Sequence, residues 1–254
     1  MEGLNTTCFG RLRRMEQVAE SVFSLGSRSH NFYLVVEDQQ VSVIDAGCIR
    51  EWSELTGAVA ELGLVLGDIS GVVATHVHAD HLGLGRQMQS EGLPVSVHEA
   101  DEPRALGTYQ GRFGAKATEL PLWSIRAWAN MLPMMLAGVT SFEPLETVDT
   151  FVDGDTLDIP GRPMVIHTPG HTEGHTMFHC ASLGILFTGD GLVTMDLLGS
   201  RRGPQRMRPV FDLDTAQAGR SLNRVRDIDA DLLLPGHGRP WEGSPGRAVE
   251  LASN

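Results

Sequence analysis

The stretch Thr75-His76-Val77-His78-Ala79-Asp80-His81 places three imidazoles and one carboxylate within six residues. The apolar run from Ile69 to Ala74 just before it reads as a buried strand. Leu82-Gly83-Leu84-Gly85 just after it lets the backbone turn tightly and a helix begin. The chain therefore leaves a strand, crosses a short loop and presents four donors at the strand's end. Imidazole nitrogen and carboxylate oxygen are donors that zinc and similar divalent ions accept. A histidine-rich surface loop is the alternative, and the rest of the chain decides between them.

Three later sites repeat the plan of a polar side chain beside glycine at a strand's end. Thr168-Pro169-Gly170-His171-Thr172-Glu173-Gly174-His175 follows Val165-Ile166-His167, Gly189-Asp190-Gly191 follows Ile185-Leu186-Phe187, and Gly236-His237-Gly238 follows Leu232-Leu233-Leu234. Taken singly, a His or Asp in a glycine turn is a capped or solvent-facing residue. Together with His76, His78, Asp80 and His81 they make five histidines and two aspartates of metal-ligand type.

The pattern between these sites is that of an α/β chain. Phe32 to Val36 and Val41 to Asp45 read as a hairpin turning through Glu37 to Gln40. A strand is expected around Glu20 to Leu25, and a helix over Glu51 to Leu62 with Leu55, Val59 and Leu62 on one face. Gly85 to Glu91 predicts a helix and Pro94 to His98 a strand. Strands are expected at Thr150–Leu157, Met164–His167, Thr176–Cys180 and Gly184–Thr188, and a helix over Asp214–Asp227 capped by Asp212 or Asp214. Residues 101 to 146 break the rhythm and predict a helical insertion in one domain of 1–254, with helical character from Leu122 to Ala137 and a kink or split at Pro133. Its Met and Trp residues either dock it on the core or form a lid or one wall of a substrate pocket.

Composition removes several function classes. The 254 residues are 41% apolar and 20% charged, which suits a sizeable core. A net charge of -12, with Lys116 the only lysine, argues against a nucleic-acid binder or an anionic-membrane protein. Cys8, Cys48 and Cys180 are odd in number and far apart, so they predict neither a disulfide framework nor a CxxC site. No signal peptide or membrane-spanning run is expected, and the chain reads as cytoplasmic.

With His76-Val77-His78-Ala79-Asp80-His81 as an HxHxDH signature, the chain resembles the metallo-β-lactamase-fold hydrolase superfamily, and within it the glyoxalase II and lactonase-like branch. The resemblance runs from the early strands to Gly238, apart from the insertion. It implies a four-layer αβ/βα sandwich with two divalent metal ions at one edge. By resemblance, His76, His78 and His171 hold the first ion, Asp80, His81 and His237 the second, and Asp190 bridges them. Asp45 is implied as the buried carboxylate that orients the motif loop, and His175 is read as a hydrogen-bonding residue near the site. His30, His98, His167 and His179 are read as structural or exposed. Zinc is the default metal, and iron and manganese suit the same donors.

The implied activity is hydrolysis of a small ester, thioester or lactone by hydroxide held between the ions, with Asp80 also carrying the proton. Departures narrow the branch. Asp190 stands where zinc β-lactamases commonly carry Cys, and His78 where flavodiiron proteins carry Glu. No Tyr follows Asp190 as in lactonases of acyl-homoserine lactones, and the basic and Tyr contacts expected for glutathione are not matched. A mononuclear iron persulfide dioxygenase and a phosphodiesterase of the same fold are the competing enzymes, and a non-catalytic binder is the remaining class. A small molecule is the expected partner, with a homodimer left open. Four arginines lie between Gly199 and Arg208. They form either a solvated loop paired with acids or an anion clamp, for which Arg201 and Arg202 are the candidates.

Overall fold

The computed structural model describes residues 15–27, 29–111, 120–121 and 123–253. Cys8, Lys116, Leu122 and the part of the expected insertion at 112–119 lie outside them. Strands β1 (Glu16–Ala19), β2 (Val22–Gly26), β3 (Asn31–Glu37) and β4 (Gln40–Ile44) form an antiparallel meander. Two strands thus stand where the pattern around Glu20 suggests one. Helix α1 (Trp52–Glu61) leads to β5 (Ile69–Val73), which lies parallel to β4. Helix α2 (Gly85–Ser90) leads to β6 (Val95–His98), and β7 (Asp149–Phe151) adds in parallel at the far edge.

Helices α3 (Glu102–Ala105) and α4 (Ile125–Ala137) fall between β6 and β7, where the helical insertion is expected. α4 is not split at Pro133. The buried Met134 and a C-terminal Gly138 at φ 98°, whose backbone N–H bonds back into the last turn, hold the helix past the proline.

The second sheet contains β8 (Met164–His167), β9 (Thr176–Cys180), β10 (Ile185–Gly189), β13 (Leu232–Pro235) and β14 (Trp241–Glu242), in the order β14-β13-β10-β9-β8. A ribbon of β11 (Val193–Met195) and β12 (Arg202–Gln205) stands apart from it, and helices α5 (Thr215–Ser221) and α6 (Pro245–Ala252) complete the chain. The helix expected over Asp214–Asp227 is α5 with Asp214 as its N-cap, followed by a 3-10 turn at Leu222–Val225. Beyond Phe151 the expected strand reduces to one bridge, Thr156 to Met164.

Alternation along the strands makes the layers. Tyr33, Val35 and Ile44 from the first sheet pack on Phe178, Ile185, Phe187 and Leu234 from the second. On the outer face of the first sheet, Phe32, Leu34, Val41 and Val43 pack with Leu55, Val59 and Met88. On the outer face of the second, Met177, Leu186 and Leu233 pack with Leu222, Val225, Ala248 and Val249. The result is the helix–sheet–sheet–helix sandwich that the sequence implies. Tyr33 donates to the Pro235 carbonyl at 2.7 Å and Asn31 Nδ2 to the Pro235 and Gly238 carbonyls, tying the sheets together where β13 ends. No helix among the described residues is long and apolar enough to cross a membrane.

Candidate metal centre

Five strand ends converge at one edge of the sandwich: those of β4, β5, β8, β10 and β13. β5 delivers His76 to His81. Glycine is needed at Gly83, because a Cβ there would stand 2.4 Å from the Ala79 carbonyl oxygen and 2.6 Å from that of Gly47. The loop therefore folds directly against the turn after β4, and Ala46 N donates to the His81 carbonyl at 2.6 Å. β8 leads to His171, β10 to Asp190 and β13 to His237.

Their donor atoms form three overlapping groups: His76/His78/His171, His76/His81/Asp190 and Asp80/His81/His237. His78 Nδ1 lies 3.0 Å from His76 Nε2 and 3.1 Å from His171 Nε2. Asp190 Oδ2 lies 3.3 Å from His171 Nε2, 3.2 Å from His237 Nε2 and 4.0 Å from His76 Nε2. Asp190 Oδ1 lies 3.4 Å from His81 Nε2, and Asp80 Oδ2 lies 3.5 Å from His237 Nε2 and 3.7 Å from His81 Nε2. The edge of a tetrahedron of nitrogen and oxygen donors around zinc is about 3.3 Å, so the spacings fit divalent cations.

Hydrogen bonds fix which nitrogens carry protons. His81 Nδ1 donates to Asp45 at 2.8 Å, His171 Nδ1 to Asp212 at 3.2 Å, and His237 Nδ1 to the Ser29 carbonyl. Thr75 gives its hydroxyl proton to Asp45, so it accepts from His76 Nδ1 at 3.1 Å. With Nδ1 engaged in all four histidines, Nε2 is the atom that each turns to the site. His81 Nε2 and Asp190 Oδ1, both buried, have no hydrogen-bond partner among the described residues. Without a cation the carboxylates around His81 hold a proton on it, and a bound cation would take that proton's place.

The charge is divided. Burial and the neighbouring imidazoles hold His76 and His78 well below the usual imidazole range. Burial also opposes charge on His81 and His237, yet Asp45, Asp190 and Asp80 hold His81 well above that range, and Asp190 and Asp80 raise His237. Asp190 stays well below the carboxylate range despite burial, because His237 and His81 face it. One half thus offers neutral imidazoles and the other carboxylates.

Asp45 sits at φ 63° and accepts from Thr75 N at 2.7 Å, the Thr75 hydroxyl and His81 Nδ1. His175 Nε2 accepts from the backbone N–H of Asp190 and of Gly191, each at 3.1 Å, which fixes the Asp190 turn. Burial and His171 push His175 down to about 3, so it stays neutral for this. Sequence reading missed Asp212, the Ser29 carbonyl and Asp101. Buried Asp101 accepts from Val77 N at 2.9 Å, Thr172 Oγ1 at 2.7 Å and Gly174 N at 2.8 Å, binding the His76 and His171 loops together. Elsewhere His30 pairs with Glu51, His98 stacks on His167 at 3.9 Å between ring centroids, and His179 meets the Asp229 carbonyl.

A profile of the Metallo-beta-lactamase superfamily matches residues 25–237. The chain belongs to this superfamily. This metallo-beta-lactamase superfamily chain, a metal-dependent hydrolase by that membership, is 28% identical over 221 residues to the probable metallo-hydrolase YqjP of Bacillus subtilis, covering 82% of the chain and 66% of YqjP. It is 27% identical over 224 residues to a hydroxyacylglutathione hydrolase of Gloeobacter violaceus, covering 87% and 66%. The matched region thus spans about two thirds of each relative's length. A metallo-beta-lactamase family protein of Thermus thermophilus superposes with a TM-score of 0.66 at 25% identity, covering 93% of this chain and 80% of that one. BJP-1, a subclass B3 metallo-beta-lactamase of Bradyrhizobium japonicum, shares the fold at 18% identity and a TM-score of 0.66, covering 95% and 90%.

In this superfamily member a cavity of about 590 Å³ opens over His78, Asp80, His171, Asp190 and His237. Arg201 and Arg202, the candidates for an anion clamp, do not line it. Arg201 donates to the Leu251 carbonyl at 2.9 Å, in the last turn of α6, and the exposed Arg202 donates to the Arg201 carbonyl at 3.0 Å. Arg208 pairs with Asp196. A guanidinium satisfies helix-end carbonyls well, and the ribbon's packing on α6 turns these arginines away from the site.

Gly236 supplies a direct test of the centre. A Cβ there would stand 2.6 Å from Asp190 Oδ1 and 2.6 Å from His81 Cε1. Gly236→Ala is expected to fold yet to force this pair apart, lowering kcat/KM about tenfold to a hundredfold together with metal affinity. Metal analysis beside a circular dichroism melt checks it, and unchanged metal content and rate would contradict the geometry.

Proposed function

We propose that the chain is a dinuclear metal-dependent hydrolase of a small carboxylic ester, thioester or lactone. The observation that carries this is the buried contact of His81 Nε2 with Asp190 Oδ1 at 3.4 Å, with no hydrogen-bond partner for either among the described residues. An imidazole and a carboxylate buried this close suit a cation in the half opposite His76, His78 and His171 as well as among them, one that would displace the proton on His81. In this reading His76, His78 and His171 hold one ion, Asp80, His81 and His237 the other, and Asp190 is shared. When bound, two divalent cations, zinc first among them, supply Lewis acidity and make water acidic enough to attack near neutral pH.

The residues do the rest. Asp190 sets the separation of the two halves, and His175 fixes its backbone. Asp80 lines the cavity and takes the proton released as water adds to the carbonyl carbon. It returns that proton to the alkoxide or thiolate as the bond to the leaving atom breaks. The cavity walls exclude bulk water from the charge that develops on the carbonyl oxygen. The relative named as a hydroxyacylglutathione hydrolase supports a thioester among the candidates.

The test is metal content of the purified protein followed by a screen of esters, thioesters, lactones and phosphodiesters, with oxygen uptake recorded alongside. About two equivalents per chain and carboxylic ester or thioester hydrolysis are expected. One iron per chain with oxygen consumption would instead identify a dioxygenase, and phosphodiester cleavage alone a phosphodiesterase. His78→Ala is expected to lose at least about a hundredfold in kcat/KM along with bound metal. Full activity at wild-type metal content would remove His78 from the site.

A further inference from the structure

The floor and the wall of the cavity differ in chemistry. The floor carries His78, Asp80, His171, Asp190 and His237. The wall is apolar: Trp128, Met131, Met134 and Met135 from one face of α4, joined by Phe142 and Met207. The spacing of the four α4 residues places them on a single helical stripe. Met134 and Met207 pack in one small buried cluster, which anchors the wall to the body of the protein. Trp128 and Met135 remain 44% and 38% exposed. Apolar side chains left half open around a polar floor mark a binding surface. Unbranched thioethers also repack around ligands of different shape.

We propose that this methionine wall is a pocket for an apolar arm of the substrate, a medium-chain alkyl or an aryl group carried on the acyl side of the scissile carbonyl. The proposal rests on the hydrolase reading above and adds the class of acyl group. A carbonyl placed over the histidines leaves the remaining volume to that arm. Each methylene buried against the wall is worth about threefold in affinity, until the cavity is filled.

Two measurements separate this proposal from the hydrolase reading. In the first, the metal-loaded protein is titrated with methyl ethyl, methyl butyl and methyl octyl ketone, followed by tryptophan fluorescence. Kd is expected to fall about threefold per added methylene. Met135→Glu, at a partly exposed position, is expected to weaken methyl octyl ketone at least about tenfold, and Met135→Leu to keep the affinity. A flat series, or wild-type affinity in Met135→Glu with an unchanged circular dichroism spectrum, overturns the pocket. In the second, p-nitrophenyl acetate and octanoate are compared with octanoyl and lactoyl thioesters of glutathione. An octanoyl-to-acetyl ratio in kcat/KM of at least about a hundred supports the pocket. A ratio near one, or preference for the lactoyl over the octanoyl thioester, overturns it and leaves the hydrolase intact. Graded ketone binding with no hydrolysis of any of these, nor of the lactones in the screen above, supports the pocket and overturns the hydrolase reading.

Discussion

Replacing Asp190 by asparagine is expected to cut kcat/KM at least about a thousandfold, roughly 4 kcal/mol of transition-state stabilisation. The same change should also lower the melting temperature of the metal-free protein near neutral pH. The two effects have one cause. Asp190 Oδ1 faces His81 Nε2 at 3.4 Å and its Oδ2 faces His237 Nε2 at 3.2 Å, and these two imidazoles are held above their usual range by the carboxylates around them. An amide in its place carries no charge to pair with them and cannot serve as the shared carboxylate. Added zinc should raise the melting temperature of the wild type by mass action and raise that of Asp190→Asn much less. Calorimetry with and without zinc, beside metal analysis, measures both sides. Activity within about tenfold of wild type with two ions still bound would exclude Asp190 from the shared position.

The donors were legible because each carries a local signature. His76, His78, Asp80 and His81 lie within six residues behind an apolar strand, and His171, Asp190 and His237 each stand in a glycine turn after one. The alternation of Tyr33, Val35 and Ile44 against Phe32, Leu34 and Val43 likewise writes the two faces of the first sheet into the chain. The groups that aim the donors leave no such trace. Asp212 reaches His171 across 41 residues and the Ser29 carbonyl reaches His237 across 208, so neither pairing has a local pattern. Asp101 reads as an ordinary acid at the start of an insertion, although it binds two donor loops together. The arginines after Gly199 were legible as a choice between a solvated, acid-paired loop and an anion clamp, and the Arg208–Asp196 pair and exposed Arg202 agree with the first. Their direction follows from the β11–β12 ribbon and its packing on α6, which local sequence does not specify.

Asp45 supplies the second large expected effect, and it separates aiming from folding. The residue holds φ 63°, a left-handed conformation that Asp and Asn tolerate better than other side chains. Asp45→Ala removes that tolerance and strands the Thr75 N–H and the His81 Nδ1–H without an acceptor, a loss of about 3 kcal/mol or more. Asp45→Asn is the sharper variant. Its carboxamide oxygen can still accept from Thr75 N, bonded to Asp45 at 2.7 Å, but its NH2 then meets the Nδ1 that lies 2.8 Å from Asp45. His81 relieves this by moving its proton to Nε2, which turns the lone pair away from the site. Asp45→Asn is therefore expected to stay folded, to bind metal about tenfold to a hundredfold more weakly, and to lose activity at least in proportion. Nitrogen NMR of the His81 ring should report Nδ1–H with a bare Nε2 in the metal-loaded wild type and Nε2–H in the variant. Competition with a chromophoric chelator gives the affinity. A variant that keeps the Nδ1–H tautomer and still loses metal would mean that Asp45 acts through Thr75 and the loop backbone rather than through the imidazole.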